Sequence, residues 1–229
     1  MRATHSRKVS KTRTKRLACA HLLVLECQEE KLSGQALNFG SQAVGALKVM
    51  YPKKRIALVP TSAYCDLGAS LAEVLAEYGR FRSILVVGHS NAVGIQLTND
   101  QFCTWGSAGL WLAKFEPEIL FFAACEAGRS DAIRSVFEAV ATLREVYASP
   151  VRLYAQQSTP LAALIALALR NRRIDPGASA AVRGLNFAMT GGQIFRWRRG
   201  EIGEGQEVTT KLWDLMASIC NKASENGHF

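Results

Sequence analysis

The sequence predicts an α/β protein, a three-layer sandwich in which helices cover both faces of a mostly parallel, six-stranded sheet. Short apolar runs rich in β-branched and aromatic residues, such as residues 83–88 (SILVVG) and 118–124 (EILFFAA), are typical of strands buried on both faces. Amphipathic stretches separate successive runs, and such helical connections imply right-handed crossovers and a parallel sheet. A chain of 229 residues can bury one large core without a disulfide or a metal.

The strands are predicted from apolar runs that end at small or polar residues or at proline. In chain order they are residues 20–26, 55–60, 83–88, 118–124, 151–155 and 185–190. A Gly191-Gly192 turn follows the last strand, and residues 193–198 are predicted to pair back as a hairpin strand.

The helices are predicted from apolar residues at helical spacing. They are residues 33–50, 69–78, 107–115, 130–147, 160–170 and 209–220. In the helix 130–147, Ser130 or Asp131 can cap the start, and apolar side chains form one continuous stripe. The stripe consists of Ile133, Val136, Phe137, Val140 and Leu143. Gly79 can end the second helix, and Pro160 suits the first position of the fifth.

Charge divides the chain into a tail and a domain. Residues 1–16 carry seven basic residues and no acid, which accounts for seven of the nine excess positive charges. A block of like charge with few apolar residues predicts a disordered tail, and residues 17–229 form the single predicted domain. Such a tail is either simply solvated or a contact for nucleic acid or an acidic partner. It also resembles an organellar transit peptide, because it is basic and free of acids.

Cysteine usage and motif content argue against several classes of function. The six cysteines form no CxxC pair and no zinc spacing, so we expect reduced thiols, no bound metal and a cytoplasmic protein. The absence of GxxxxGKS and GxGxxG motifs disfavours a nucleotide enzyme, and we expect no cofactor. The longest apolar run, residues 160–169, is too short to span a bilayer, and no secretory signal peptide is recognisable.

A histidine and a cysteine stand at matching places in the predicted sheet. His89 follows the strand 83–88, and Cys125 follows the strand 118–124. In an open parallel sheet, functional groups collect at the carboxyl ends of strands, and neighbouring strands lie roughly 5 Å apart. If these two strands are neighbours, the imidazole and the thiol meet at one sheet edge, as a nucleophile with its proton acceptor.

The surroundings of Cys125 favour a reactive thiol over an inert one. A following helix start and a nearby imidazolium both stabilise a thiolate. Ala124, Ala127 and Gly128 are small, which leaves room for a substrate backbone. A cysteine at a strand end is, by itself, more often inert and buried, and His89 in the equivalent position shifts the balance.

The two strand-to-loop stretches, ILVVGHSN and EILFFAACEAG, resemble those of the caspase-like cysteine peptidases. That superfamily includes caspases, metacaspases, legumain, gingipain, separase and bacterial CHAT domains, and the resemblance covers roughly residues 20–198. It implies that Cys125 is the nucleophile, that His89 is the general base or acid, and that the substrate is a protein or peptide. It further implies an oxyanion hole built from the backbone N–H groups of Cys125 and Ser90, where the family usually has glycine in place of the serine.

The resemblance carries a weaker implication for Glu26. In this fold the end of the first strand helps to line the pocket for the residue before the scissile bond. A carboxylate there would favour Arg or Lys through charge-assisted hydrogen bonds. The alternative is a solvated acidic loop formed by Glu26, Glu29 and Glu30.

Two other functions remain open from the sequence. Gly88 to Ala92 approximates the nucleophile elbow of α/β-hydrolases, with Ser90 as nucleophile, but the only later histidine is His228. A non-catalytic caspase-like scaffold, with a regulatory partner or nucleic acid bound through a basic arm, is the second alternative. Residues 195–199 (FRWRR) are either a further nucleic-acid contact or a solvated hairpin edge.

Deleting residues 1–16 tests the tail. We expect catalysis to be unchanged, and any affinity for a single-stranded oligonucleotide to fall, with a smaller slope of log K against log salt. Fluorescence anisotropy at several salt concentrations measures both quantities. An unchanged slope would show that the tail does not contact the phosphates.

Overall fold

The structure is a computed structural model that describes residues 20–26, 30–32, 35–37, 39–52, 55–61, 67–97, 102–153 and 194–200. Its strands are β1 (Ala20–Glu26), β2 (Glu30–Leu32), β3 (Gln35–Leu37), β4 (Ile56–Pro60), β5 (Phe81–Val87), β6 (Gly94–Gln96), β7 (Phe102–Thr104), β8 (Ile119–Ala123), β9 (Glu145–Ala148) and β10 (Phe195–Arg198). Its helices are α1 (Phe39–Met50), α2 (Leu67–Tyr78), α3 (Trp105–Ala113) and α4 (Ser130–Ala139).

Within the described residues, the main sheet has six strands in the order β10-β9-β8-β5-β1-β4. Neighbouring strands are parallel, except that β10 runs antiparallel to β9 at one edge. The hairpins β2–β3 and β6–β7 form two separate small sheets. The predicted fold class, an α/β protein with a mostly parallel six-stranded sheet, is therefore confirmed.

Side chains alternate between two hydrophobic cores, one on each face of the sheet. In β5, Ile84 and Val86 belong to the larger core, whereas Leu85 and Val87 belong to the smaller one. Helices α2, α3 and α4 pack on the larger core, and α1 packs on the smaller core through Val44 and Leu47. This alternation produces three layers and explains why the central strands are almost entirely apolar.

The prediction of one long helix over 130–147 is wrong. Helix α4 ends at Ala139, and the fifth strand of the sheet among the described residues is β9 (Glu145–Ala148). Residues 151–153, the described part of the predicted strand 151–155, are not in a strand. Arg199 explains the early end, because its guanidinium donates to the carbonyl oxygens of Phe137 (2.8 Å), Val140 (2.6 Å) and Leu143 (2.7 Å). A cation at the carboxyl end of a helix satisfies carbonyl groups that have no partner within the helix.

Strand β9 is held in the sheet by a buried polar cluster. The Tyr147 hydroxyl donates to Glu145 at 2.6 Å, and the Arg196 guanidinium of β10 forms an ion pair with the same carboxylate. The Tyr147 ring stacks on Phe121 of β8, with ring centroids 4.7 Å apart. Arg196 and Arg199 therefore have structural partners within the fold, although β10 lies at the sheet edge and Arg199 is exposed. A nucleic-acid contact by residues 195–199 stays a prediction.

Other differences lie at the element boundaries. Helix α1 begins at Phe39, and β3 occupies part of the predicted helix 33–50. The segment after β5, for which the sequence predicts no strand before the helix 107–115, contains the hairpin β6–β7. The predicted hairpin strand 193–198 is β10, and its partner among the described residues is β9. The tail 1–16, the strand 185–190 and the helices 160–170 and 209–220 lie outside the described residues.

The buried phenol of Tyr147 predicts a loss of stability in alkali. Burial, together with the hydrogen bond and charge of Glu145, raises the pKa of Tyr147 above its ordinary 10.0. The folded phenol therefore keeps its proton when the unfolded one ionises, so its stabilising contribution is complete below pH 10 and is lost as the pH rises further. We expect Tyr147→Phe to reduce the decline of unfolding free energy above pH 10 by about 1.4 kcal/mol per pH unit. Urea unfolding between pH 8 and 11 measures this, and an identical decline in both proteins would contradict it.

Candidate active site

The two strands that precede His89 and Cys125 are parallel neighbours. In the β5–β8 pair, Val87 lies opposite Ala123 at the carboxyl end of both strands. His89 stands two residues beyond Val87, and Cys125 stands two residues beyond Ala123. The chain continues this pairing beyond the strands, since the Gly88 N–H donates to the Ala123 carbonyl at 3.4 Å. The structure therefore brings the two predicted residues to the same edge of the sheet, and their dyad role remains a prediction.

A compact turn carries His89. The Asn91 side-chain oxygen accepts hydrogen bonds from the N–H groups of Val93 (2.8 Å) and Gly94 (3.2 Å), and the His89 carbonyl accepts one from Gln96 at 2.8 Å. Gly94 is required here, because a Cβ atom at this position would lie 2.0 Å from the Cys103 carbonyl oxygen. The His89 side chain is exposed and has no hydrogen-bond partner among the described residues. The backbone of the turn is thus fixed while its imidazole is accessible.

Ser90 links the two strand ends directly. Its hydroxyl donates to the backbone carbonyl of Cys125. Strand β6 follows this turn, whereas a nucleophile elbow leads straight into a helix. The described structure therefore lacks the local geometry that the serine-hydrolase alternative requires.

The backbone N–H groups predicted to form an oxyanion hole have no acceptor within the described part of the chain. Ser90 lies opposite Ile95 in an antiparallel bridge. The hydrogen bonds of this bridge run from the Asn91 N–H to the Gly94 carbonyl and from the Gln96 N–H to the His89 carbonyl, so the Ser90 N–H takes no part in it. The N–H of Cys125 likewise donates to none of the described residues.

The segment formed by residues 149–153, which continues beyond β9, lies against Cys125. The Leu153 N–H donates to the Cys125 sulfur at 3.4 Å, and the thiol lies 3.7 Å from the Leu153 carbonyl oxygen. Two further bonds hold the segment, from the Glu126 N–H to the Val151 oxygen (3.1 Å) and from the Gly128 N–H to the Ser149 oxygen (2.7 Å). The thiol is half-buried, and the backbone of this segment is its hydrogen-bonding partner.

Sequence reasoning missed this segment, and two structural features show how closely the chain packs around Cys125. Glu126 adopts a left-handed conformation with φ of 57°, which is uncommon for a residue other than glycine and occurs often at functional turns. A Cβ atom at Gly128 would lie 2.7 Å from the Pro150 nitrogen. Ala124 and Ala127 are buried in the larger core. The small residues around Cys125 therefore accommodate the chain's own packing, which corrects the prediction that they leave room for substrate.

Glu26 lies at the same edge of the sheet but has a structural partner. Its side chain is 3% exposed, and its carboxylate accepts hydrogen bonds from the N–H groups of Gly40 and Ser41 and from the Ser41 hydroxyl at 2.8 Å. These groups form the first turn of α1, where a negative charge is favourable. Glu26 is therefore not part of a solvated loop. Its carboxylate is already engaged by the start of α1, and its role in a substrate pocket stays a prediction.

Neither a metal site nor a membrane span is found in the described residues. They contain no group of three or more His, Cys, Asp or Glu side chains arranged to hold a metal ion. None of the described helices combines the length and the apolar character needed to cross a bilayer.

The Gly128→Ala variant tests the close approach of the 149–153 segment. We expect the free energy of unfolding to fall by about 1–3 kcal/mol, because the new methyl group meets backbone atoms that cannot move aside independently. Gly45→Ala in α1 is the matched control, since no atom lies within 4 Å of its Cβ position. Alanine there should stabilise the helix by up to about 1 kcal/mol. Urea denaturation of both variants provides the measurement, and equal effects would contradict the packing.

A search of solved structures identifies a fold relative. The chain is similar to an inactive zymogen C11 protease from Parabacteroides distasonis, known from its X-ray structure, with a TM-score of 0.56 and 12% sequence identity. The similarity covers 80% of this chain and 63% of that one, so the chain spans less than two thirds of the relative's length. No protein-family model and no curated protein matches the sequence. At this level of identity, the finding is that the chain has an α/β fold similar to that of a caspase-like C11 protease.

Proposed function

We propose that this protein is a cysteine endopeptidase of the caspase-like type that cleaves a protein or peptide substrate. Cys125 is the nucleophile and His89 its general base and acid. The mechanism uses only groups of the chain itself, without a metal or an organic cofactor.

The observation that carries the proposal is the β5–β8 pairing. Val87 and Ala123 lie opposite each other, and His89 and Cys125 follow them at the same offset. Neighbouring strands are about 4.8 Å apart, a spacing across which an imidazole can reach a thiol. The bond from Ser90 to the Cys125 carbonyl keeps the two loops together beyond the strands. The fold similarity to a C11 protease supports the same assignment.

The chemical sequence follows from these groups. His89 takes the proton of the Cys125 thiol, and the thiolate attacks the scissile carbonyl carbon to form a tetrahedral oxyanion. The N–H groups of Ser90 and Cys125, which have no acceptor in the described part of the chain, stabilise that oxyanion. The imidazolium then gives its proton to the departing amine. Water, deprotonated by His89, hydrolyses the thioester and regenerates the thiol.

The contact with Leu153 places the 149–153 segment beside the attacking atom. The sulfur accepts a hydrogen bond from the Leu153 N–H, and such a donor also stabilises a thiolate. The related C11 protease was solved as an inactive zymogen, which accords with a thiol that is engaged before substrate arrives.

A non-catalytic scaffold is the second candidate, and the same contact is the observation that favours it. A half-buried thiol bonded to its own backbone is also what an inert structural cysteine looks like. The two candidates differ in whether Cys125 reacts with an electrophile and in whether His89 influences that reaction.

We expect Cys125→Ala to abolish cleavage of a fluorogenic peptide library, because the variant lacks the thiol that forms the acyl-enzyme in the proposed mechanism. His89→Ala should lower kcat/KM by at least about 10³-fold. Hydrolysis rates and covalent labelling by a peptidyl acyloxymethyl ketone, located by mass spectrometry, provide the measurement.

The matched control for this experiment is Cys103→Ala. Cys103 is the other free, half-buried cysteine in the described residues, and burial raises the pKa of its thiol, which keeps it protonated and slow to react. We expect this variant to cleave and label like the parent protein. Cleavage that persists in Cys125→Ala would reject the proposed nucleophile. Absence of both cleavage and labelling in the parent protein would favour the scaffold.

A further inference from the structure

We infer that Trp105 is a positioning residue for the proposed dyad, because its buried indole joins the turn that carries His89 to the strand that leads to Cys125. This inference rests on the function proposed above. Trp105 is 3% exposed and lies at the start of α3.

Trp105 holds the His89 turn at two points. Its indole N–H donates to the carbonyl oxygen of Asn91 at 3.1 Å, and its backbone N–H donates to the carbonyl oxygen of Val93 at 3.3 Å. Asn91 is two residues from His89. These two hydrogen bonds end on Asn91 and Val93, in the outer part of the turn. The pairing of β5 with β8 ends at Val87 and so does not reach these residues.

The same indole ring contacts the strand that leads to the thiol. Trp105 packs edge-to-face on Phe122 of β8, with ring centroids 5.5 Å apart and an angle of 87° between the ring planes. Phe122 is 1% exposed and precedes Cys125 by three residues. A single side chain therefore touches both arms of the proposed dyad.

The backbone of Trp105 is fixed from both directions. Strand β7 ends at Thr104 and pairs with β6, and the Thr104 hydroxyl accepts a hydrogen bond from the Ser107 N–H at 3.3 Å as the N-cap of α3. On the far side, α3 packs closely on α4, since a Cβ atom at Gly109 would lie 2.7 Å from the Cβ atom of Ala139. The indole is consequently presented by a rigid element, as a positioning group requires.

Loss of the indole N–H would leave the Asn91 carbonyl without this donor and loosen the turn at Asn91, while the backbone bond from Trp105 to Val93 remains. A displacement of about 1 Å between reacting groups can cost about 10²-fold in rate. The imidazole also promotes thiolate formation, so a displaced His89 should slow alkylation of Cys125. General loosening of the fold has the opposite effect on alkylation, because it exposes thiols.

The test uses two replacements of Trp105 that remove the N–H. Trp105→Phe is the simpler one, and benzothienylalanine at the same position preserves the shape of the ring system if phenylalanine impairs folding. Trp197→Phe is the matched control, because the Trp197 indole N–H is buried and has no acceptor among the described residues. Full-length proteins are compared by kcat and KM for peptide hydrolysis and by the rates of iodoacetamide alkylation at Cys125 and Cys103.

We expect both Trp105 replacements to lower kcat at least about tenfold with KM changed less than about twofold, and to slow alkylation at Cys125 but not at Cys103. Trp197→Phe should match the parent protein. Unchanged kcat in the benzothienylalanine variant, or faster alkylation at both cysteines, would overturn the positioning role. His89→Ala distinguishes failure of the positioning role from failure of the dyad.

If His89→Ala slows alkylation of Cys125 and the Trp105 replacements do not, only the positioning role of Trp105 is overturned. If His89→Ala has no effect on alkylation of Cys125, the proposed dyad is overturned as well.

Discussion

The parallel pairing of β5 with β8 is the constraint on which the site depends. Its register places Val87 opposite Ala123, and everything beyond that point follows from where the two chains leave the sheet. Both strands are buried on both faces, so a shift of one residue would turn apolar side chains from one core to the other. Close packing of differently sized side chains in both cores therefore maintains this register, which sets where the chains leading to His89 and Cys125 leave the sheet.

Charged side chains from distant strands determine where two of the helices begin or end. Glu26 at the end of β1 accepts hydrogen bonds from the first turn of α1, and Arg199 after β10 donates to carbonyl groups at the end of α4. Each charge has the sign that the helix terminus favours. Both contacts join elements that are far apart in the sequence, and they couple helix boundaries to the assembly of the sheet.

These contacts explain how far the sequence could predict the structure. The strands at 20–26, 83–88 and 118–124 were predictable because burial on both faces gives an unmistakable apolar pattern. The end of α4 at Ala139 was not predictable, because Val140 and Leu143 continue the helical stripe. The residue that stops the helix, Arg199, lies 56 positions beyond Leu143. The matching offsets of His89 and Cys125 were visible in the sequence. The contacts of Leu153 with the thiol, of Trp105 with Asn91, and of Glu26 with α1 were not, because each depends on tertiary packing.

The central claim is that the imidazole of His89 and the sulfur of Cys125 face one shared cleft that admits a peptide. A crystal structure of the protein with a peptidyl ketone covalently bound at Cys125 tests it most directly, through the distance from the nearest His89 nitrogen to the sulfur. We predict about 3–6 Å, with the ligand's oxyanion near the N–H groups of Ser90 and Cys125. A nitrogen-to-sulfur distance well beyond this range would contradict the account. So would a Cys125 sulfur that stays hydrogen-bonded to the Leu153 N–H and forms no bond with the ligand.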